Sequence, residues 1–189
     1  MQDPGGGEFS GIQIFCVPAT DAACISAVAS KPAGTLLNIS GPYIAFTINV
    51  GGTPVLSPEI AARDGNSPVV TVPGGTTAAV AAVVPASQVS TDFDVKSADF
   101  QRFHQVLVKV NGPATVATVS ASSFDATVGA KTIFTDIAGF FGVTWCGAAG
   151  CGANEIHLND VFSSMTGVIR IASQKTQFAI TKDADLVRQ

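Results

Sequence analysis

Residues that interrupt regular secondary structure recur along the whole chain. The sequence of 189 residues contains 19 glycines and 10 prolines. An interior proline costs a helix about 3 kcal/mol and an interior glycine about 1 kcal/mol, so this density rules out a helical bundle or a coiled coil. Hydrophobic residues make up 47% of the chain, which is far more than a disordered chain contains. We therefore expect short strands joined by turns.

Charge and hydropathy exclude several classes of protein. Only 13% of the residues are charged, the net charge is −4, and the ten basic residues form no cluster, so the sequence predicts no nucleic-acid partner. The longest run of small apolar residues, 78–84, is too short for a membrane span, which needs about 20 residues. The mean hydropathy is +0.39. Two explanations stay open for this value, namely a large β core and apolar surface covered by a neighbouring subunit or domain.

Short β-rich runs follow one another from Gly11 onward. The segment 104–110 alternates cleanly, with Val106, Val108 and Val110 on one face, and Asn111-Gly112-Pro113 is interpreted as a turn after it. Regular turn signals between strands are typical of a sandwich or a barrel. The sequence thus predicts an all-β, mainly antiparallel β-sandwich that forms a single domain over residues 10–189. The predicted strands are 12–17, 43–50, 68–72, 77–84, 89–95, 104–110, 114–121, 131–136, 139–145, 167–172 and 177–181.

Helical signals are few. Leu158, Val161, Phe162 and Met165 recur at the spacing of one helix face, which predicts one short helix near 155–165. A second short helix over 20–29 and a single turn over 97–103 are also expected.

Four cysteines form two local pairs in the sequence, Cys16 with Cys24 and Cys146 with Cys151. Three disulfide connectivities are possible for four cysteines; sequential pairing is favoured because small, turn-forming residues separate each pair. Free buried thiols and a zinc site with His157 are the alternatives, although the spacing of the cysteines is unlike that of zinc ligands. Disulfides would indicate an oxidising compartment, and we predict a secreted or cell-surface protein.

The sequence lacks the common catalytic motifs. It contains no Gly-x-Ser-x-Gly segment, no phosphate-binding loop and no His-Glu-x-x-His segment. Its two histidines are 53 positions apart; His104 is interpreted as structural and His157 as a surface residue. We therefore predict a protein that is not an enzyme, with no catalytic residues and no cofactor.

Two carboxylates are weak candidates for a calcium site. Asp92 and Asp94 alternate with apolar residues in a predicted strand, which would place both on one face. Paired carboxylates bind Ca²⁺ or serve in glycoside hydrolysis. A solvated polar face is the simpler interpretation, because a sugar-binding cleft is usually lined with aromatic residues and the chain has one Trp and one Tyr.

Two further segments concern processing rather than folding. Residues 1–9 resemble an expression-vector leader, with the alternative that Met1 is the native start. Asn38-Ile-Ser40 is a glycosylation sequon, so a glycan is a possible modification.

Two regions resemble β-sandwich modules of secreted bacterial surface proteins. Val70-Thr-Val-Pro-Gly-Gly-Thr-Thr77 and Val116-Ala-Thr-Val-Ser-Ala121 are similar to immunoglobulin-like repeats. The segments 154–162, 167–173 and 178–181 are similar to other β-rich modules of secreted bacterial proteins. The resemblance covers about a third of the chain and implies an immunoglobulin-like sandwich without a catalytic residue.

Three hypotheses for function follow. The first is a non-enzymatic extracellular or cell-surface protein that acts in adhesion or assembly, through protein partners or self-association. The second is a virion capsid or decoration protein. The third is a carbohydrate-binding or carbohydrate-active domain that uses Asp92 and Asp94. Strand addition at an exposed edge would serve the first hypothesis, and the predicted edges are 12–17 and 178–181.

Overall fold

The computed structural model of the chain describes residues 5–8, 10–17, 19–28, 31, 35–77, 80–139, 142–147 and 149–189. Within these residues the chain is mostly β-strand, which confirms the all-β prediction. The strands are β1 (Gln13–Phe15), β2 (Asn38–Ser40), β3 (Tyr43–Val50), β4 (Thr53–Ala61), β5 (Val69–Thr71), β6 (Ala82–Pro85), β7 (Leu107–Ser120), β8 (Ser123–Val128), β9 (Lys131–Asp136), β10 (Val161–Ala172), β11 (Lys175–Ala179) and β12 (Leu186–Arg188). The helices are α1 (Ala22–Val28), α2 (Val89–Asp92) and α3 (Phe100–Phe103).

Five strands close into a barrel. β7, β8 and β9 form an antiparallel meander, β9 pairs in parallel with β11, β11 pairs with β10, and β10 returns to pair with β7. β6 and β12 extend this sheet as additional short strands. A five-stranded barrel closed by a non-sequential connection is the architecture of the OB-fold group. The structure therefore shows a closed barrel with extra strands where the sequence analysis predicted a sandwich.

The barrel interior is filled by aromatic and β-branched side chains. Phe124 and Phe162 pack with their ring centroids 5.7 Å apart, and Phe93 lies 5.5 Å from Phe178. Trp145 meets Phe162 edge to face at 5.7 Å and donates from its indole nitrogen to the Asp183 carbonyl over 2.9 Å. Trp145 belongs to the hydrophobic core through its contact with Phe162, so the loop that carries it contributes to the core as well.

The N-terminal part of the chain forms two smaller sheets beside the barrel. One has three strands in the order β1-β4-β3, with β1 parallel and β3 antiparallel to β4. The other is the pair β2-β5. The buried face of β4 contacts the segment between α3 and β7, where the Gln105 side-chain amide donates to the Ser57 hydroxyl, and Val55 belongs to the same core cluster as Val106. The barrel and the three-stranded sheet thus share one hydrophobic core.

The helix expected near 155–165 is absent among the described residues, and β10 begins at Val161 instead. Phe162, Ser164 and Met165 are all buried. The ladder between β10 and β7 shifts register between Phe162 and Ser164, where Gly112 and Pro113 of β7 face one residue of β10. In its pairing with β12, β10 itself has one extra residue, Ser163. A bulge interrupts the alternation of a strand, and the resulting spacing of three between Phe162 and Met165 imitated one face of a helix.

The same bulge explains why Asn111-Gly112-Pro113 is not a turn. β7 continues through all three residues, with Gly112 at φ 116°. One edge of β7 pairs with β6 up to Asn111 and with β8 from Ala114. The strand therefore bends where its partner changes, and proline is tolerated there because bulged residues do not need a regular ladder hydrogen bond.

Other strand predictions had mixed outcomes. Those at 43–50 and 131–136 are confirmed, as are the short helix in 20–29 and the turn in 97–103. The strand predicted at 89–95 is wrong, because α2 occupies its first half. Of the strand predicted at 139–145, the described residues are not β-strand, and residues 140–141 lie outside the described part. β4 and β8 were not predicted.

Candidate functional site

Both predicted disulfides are present. Cys16 is bonded to Cys24, which links the chain after β1 to α1, and Cys146 is bonded to Cys151. The loop between the first pair is further held by Asp21, which accepts hydrogen bonds from the Val17 amide over 2.8 Å and from the Ser67 hydroxyl. The hydrogen bond from Ser67 is the main reason why the pKa of Asp21 lies below its usual value. Disulfides of this kind indicate an oxidising, extracellular environment.

The second disulfide loop is held by backbone hydrogen bonds to the segment that follows it in the chain. The Cys146 amide donates to the Asn154 carbonyl over 3.2 Å, and the Ile156 amide donates to the Cys146 carbonyl over 2.8 Å. Gly147 follows directly, and a Cβ at this position would lie 2.0 Å from the Ser120 carbonyl oxygen. The loop therefore passes in close contact with the β7–β8 hairpin.

Asp92 and Asp94 do not share a strand face. Asp92 is the last residue of α2 and is buried, whereas Asp94 lies in the following turn and accepts a hydrogen bond from the Lys96 amide over 3.0 Å. Burial raises the pKa of Asp92. Within the described residues, no three His, Cys, Asp or Glu side chains are grouped as metal ligands would be. The geometry on which the calcium hypothesis depended is thus not present.

The two histidines have contrasting environments. His104 is buried with its ring stacked 5.3 Å from that of Phe100, and the pKa of His104 is lowered to about 4, mainly by burial. His157 is exposed, with its Nε2 atom 3.1 Å from a carboxylate oxygen of Glu155. The structural role predicted for His104 and the surface position predicted for His157 agree with this arrangement.

No helix within the described residues has the length and apolar character needed to cross a bilayer. The most exposed apolar side chains include a group on the hairpin of β3 and β4. Tyr43 is 61% exposed, Leu56 50% and Phe46 38%. Tyr43 and Leu56 lie on one face of the hairpin and Phe46 lies on the other, so they are separate exposed side chains and not one contiguous apolar patch.

The backbone geometry of this hairpin shows which polar groups are unpaired. Gly51 and Gly52, at φ 55° and 85°, form a two-residue turn between Val50 and Thr53. The residues that flank such a turn form a hydrogen-bonded pair, and hydrogen-bonded pairs then alternate along the hairpin. Those pairs join Val50, Ile48, Phe46 and Ile44 to β4. The N–H and C=O groups of the intervening residues therefore point away from β4, and these residues are Tyr43, Ala45, Thr47 and Asn49.

We call this outward row of backbone groups the β3 edge. All four of its residues are exposed, and no other strand within the described residues pairs with them. β3 is eight residues long and contains no charged residue, no proline and no register shift. Edge strands are normally protected by short length, charge, proline or a bulge, and the β3 edge has none of these features.

The opposite side of the hairpin is protected. β1 covers only Glu59–Ala61 of β4, and the rest of that edge has no strand partner within the described residues, although the Leu56 carbonyl accepts a hydrogen bond from His104. Pro54 and Pro58 lie on this stretch at positions whose amide nitrogens face away from β3. Proline has no N–H group to donate, and the free edge of β4 is therefore a poor template for another strand.

The remaining sheet edges within the described residues are short. β1, β2, β5 and β12 have three residues each, and β6 has four and ends at Pro85. The prediction that 12–17 forms an edge is confirmed, since β1 pairs only with β4. The prediction that 178–181 forms an edge is wrong, because β11 lies between β9 and β10 inside the closed barrel.

The glycosylation sequon lies on β2, where the Asn38 side chain is exposed. Of residues 1–9, Met1–Pro4 and Phe9 lie outside the described part of the chain. Glu8 forms an ion pair with Arg102, which also binds Asp99 at 3.2 Å. Removal of residues 1–9 would therefore break one contact to the turn of α3.

Fold and site together define a disulfide-bonded, all-β protein with a five-stranded barrel and one long unprotected edge strand. No protein-family model matches the chain, and no curated protein matches it. The resemblance to immunoglobulin-like repeats stays a prediction from the sequence.

Proposed function

We propose that this protein is a non-enzymatic extracellular or cell-surface module that acts in adhesion or assembly through strand addition. The single observation that carries the proposal is the β3 edge, whose backbone donors and acceptors face solvent along an uncharged strand of eight residues. In strand addition, main-chain hydrogen bonds supply affinity and the alternating side chains supply specificity.

The two disulfides support the extracellular part of the proposal. Each joins cysteines that are close in sequence, Cys16 with Cys24 and Cys146 with Cys151. Such bonds persist in oxidising compartments and are rare in the cytosol. They also fix the two loops in the folded state, as suits a module that works outside the cell.

Two observations weigh against the carbohydrate hypothesis. The only tryptophan, Trp145, is 9% exposed and packs against Phe162 and Arg188, so its ring is not available to stack on a sugar. Asp92 is buried at the end of α2 and Asp94 lies in the segment after it, so the two carboxylates do not share the strand face on which the hypothesis was based. The virion hypothesis stays a prediction, because assembly through a strand edge is compatible with it as well.

A bead assay tests the proposed function. Beads coated with the folded protein are incubated with one another and, separately, with intact cells from the source of the gene. We expect aggregation of the beads or adhesion to the cells, both lost when the coating is the reduced and alkylated protein. Coated beads that neither aggregate nor adhere, or four alkylatable thiols in the native protein, would contradict the proposal.

A further inference from the structure

The β3 edge is self-complementary, so a second copy of the same strand is a suitable partner for it. Its backbone presents donors and acceptors at four alternating residues, Tyr43, Ala45, Thr47 and Asn49. No charged side chain lies on β3, so two copies of the strand do not repel each other electrostatically. Hydrogen-bond complementarity and the lack of charge favour an uncharged strand of the same kind as the partner.

We propose that two copies of this chain associate through antiparallel pairing of their β3 edges, which joins the two three-stranded sheets into one six-stranded sheet. The inference rests on the proposed function and deepens it by naming the partner. Homodimers are most often related by a two-fold axis, and an axis perpendicular to the sheet makes the two strands antiparallel.

The positions of the outward-facing residues select one register. When Phe46 faces its own copy, Tyr43 faces Asn49 of the other chain and Ala45 faces Thr47, so all four outward residues form hydrogen-bonded pairs. Each of these pairs exchanges both of its N–H···O=C bonds. A shift of the axis to Ala45 or to Thr47 leaves one of the four residues without a partner on each chain. The register centred on Phe46 is therefore the one with the most hydrogen bonds.

The side chain at the axis agrees with this register. Phe46 lies on the same face of the hairpin as buried Val55 and Ser57, yet it is 38% exposed. In the proposed dimer Phe46 and its symmetry copy form a non-hydrogen-bonded pair, in which the side chains approach most closely. Aromatic pairs across strands contribute favourably to association. The dimer would thus cover an aromatic ring that the monomer leaves partly in water.

A charged residue on the edge tests the interface. Thr47→Lys places two ammonium groups at diagonally neighbouring positions of the dimer, where like charges are unfavourable. The matched control is Thr127→Lys, because Thr127 is an exposed threonine on β8, a strand that is paired on both sides. Sedimentation velocity over a concentration series up to about 1 mM gives the dimer dissociation constant for each protein.

We expect the wild-type protein and Thr127→Lys to dimerise alike, and Thr47→Lys to raise the dissociation constant at least about tenfold with unchanged thermal unfolding of the monomer. A wild-type protein that is monomeric throughout the series would overturn the inference. Equal association by Thr47→Lys and Thr127→Lys would overturn it as well, because the interface would then lie elsewhere.

Cysteine cross-linking tests the register. In the proposed dimer, residues 46 of the two chains are a directly opposed pair with Cα atoms about 4.5 Å apart, within the range that a disulfide spans. Residues 45 are diagonal neighbours about 7–8 Å apart, which is beyond that range. Phe46→Cys should therefore form a covalent dimer under mild oxidation and Ala45→Cys should not. Cross-linking of Ala45→Cys alone would overturn the register.

The bead assay separates failure of this inference from failure of the proposed function. Adhesion of coated beads to cells by a protein that stays monomeric would overturn pairing between two copies of the chain. In that case the β3 edge would bind a strand of an unlike protein, and the proposed function would stand. Loss of adhesion and of self-association together would overturn both.

Discussion

The Gln105 side-chain amide donates a hydrogen bond to the Ser57 hydroxyl over 3.2 Å, in the buried junction between the barrel and the three-stranded sheet. Gln105 has a left-handed backbone at φ 67°, and its backbone N–H donates to the Ile169 carbonyl over 2.6 Å. Its side chain thus reaches β4 while its main chain is fixed to β10. This pair of residues connects the sheet that carries the β3 edge to the body of the protein.

Loss of the Ser57 hydroxyl should destabilise this junction. Ser57→Ala leaves the Gln105 amide without its acceptor in a buried site, where the Gln105 carbonyl oxygen already lacks a partner. An unsatisfied buried donor costs about 1–3 kcal/mol, and we expect a loss of that size in the free energy of unfolding, measured by urea denaturation. Ser90→Ala on the exposed side of α2 is the control, with a change within about 0.5 kcal/mol. Equal effects of the two substitutions would contradict the role given to this contact.

Removal of either disulfide should lower stability by a similar amount. The loop-entropy relation gives about 2–3 kcal/mol for loops as short as those closed by Cys16–Cys24 and Cys146–Cys151. We expect each double Cys→Ser variant to lose about this free energy of unfolding. Reduction of the wild-type protein should lower its stability further than either variant does. Mass spectrometry without reduction should show two hydrogens fewer for each disulfide, with the predicted peptides linked.

The composition and local patterns were sufficient for the class of fold and for both disulfides. The strand Tyr43–Val50 was predicted with its observed bounds, and the disulfide pairs were predicted from the small, turn-forming residues that separate each pair. The closed barrel was not predictable in this way, since its closure depends on β7 pairing with β10, about 50 residues away in the sequence. Local periodicity carries no information on such a pairing. The irregular pairing around Ser163 also led to two wrong predictions, a helix near 155–165 in place of the start of β10 and a turn at 111–113 in place of the middle of β7.

The candidate site was predicted only in kind. The sequence indicated an exposed strand edge, but it pointed to 178–181, which the barrel encloses. A signal for the β3 edge was present in the sequence, because 43–50 has no charged residue and is followed by a two-glycine turn. The prolines at 54 and 58 were a second signal, since they protect one side of the hairpin and leave the other side free. These two signals predict the β3 edge only when β4 is recognised as the partner strand of β3, and β4 was not predicted.

Close packing at Gly147 gives a third prediction. A Cβ at this position would lie 2.0 Å from the Ser120 carbonyl oxygen and 2.4 Å from the Val119 side chain. Gly147→Ala therefore forces the Cys146–Cys151 loop away from the β7–β8 hairpin, and overpacking of this kind costs about 1–3 kcal/mol. Gly5→Ala is the control, because no atom lies within 4 Å of its Cβ position. Thermal unfolding of the two variants should differ clearly, and equal melting temperatures would argue against this contact.

The buried His104 gives the last prediction, which concerns pH. Burial lowers the pKa of His104 from 6.5 to about 4, and the Leu56 carbonyl, which raises it, offsets only part of that effect. The folded state therefore binds fewer protons than the unfolded state between these two values. Stability contributed by neutral His104 is present above pH 6.5 and is lost as the pH falls towards 4, by at most about 3 kcal/mol.

Two carboxyl groups act in the opposite direction. Burial raises the pKa values of Glu59 and Asp92 above their usual values, so protonation of these two groups favours the folded state as the pH falls. Urea denaturation at intervals between pH 4 and pH 7.5 should show a decline in the free energy of unfolding that begins near pH 6.5, where histidine titrates in the unfolded chain. His104→Gln should lose the decline above pH 5, and an unchanged slope in that variant would assign the pH dependence to another group.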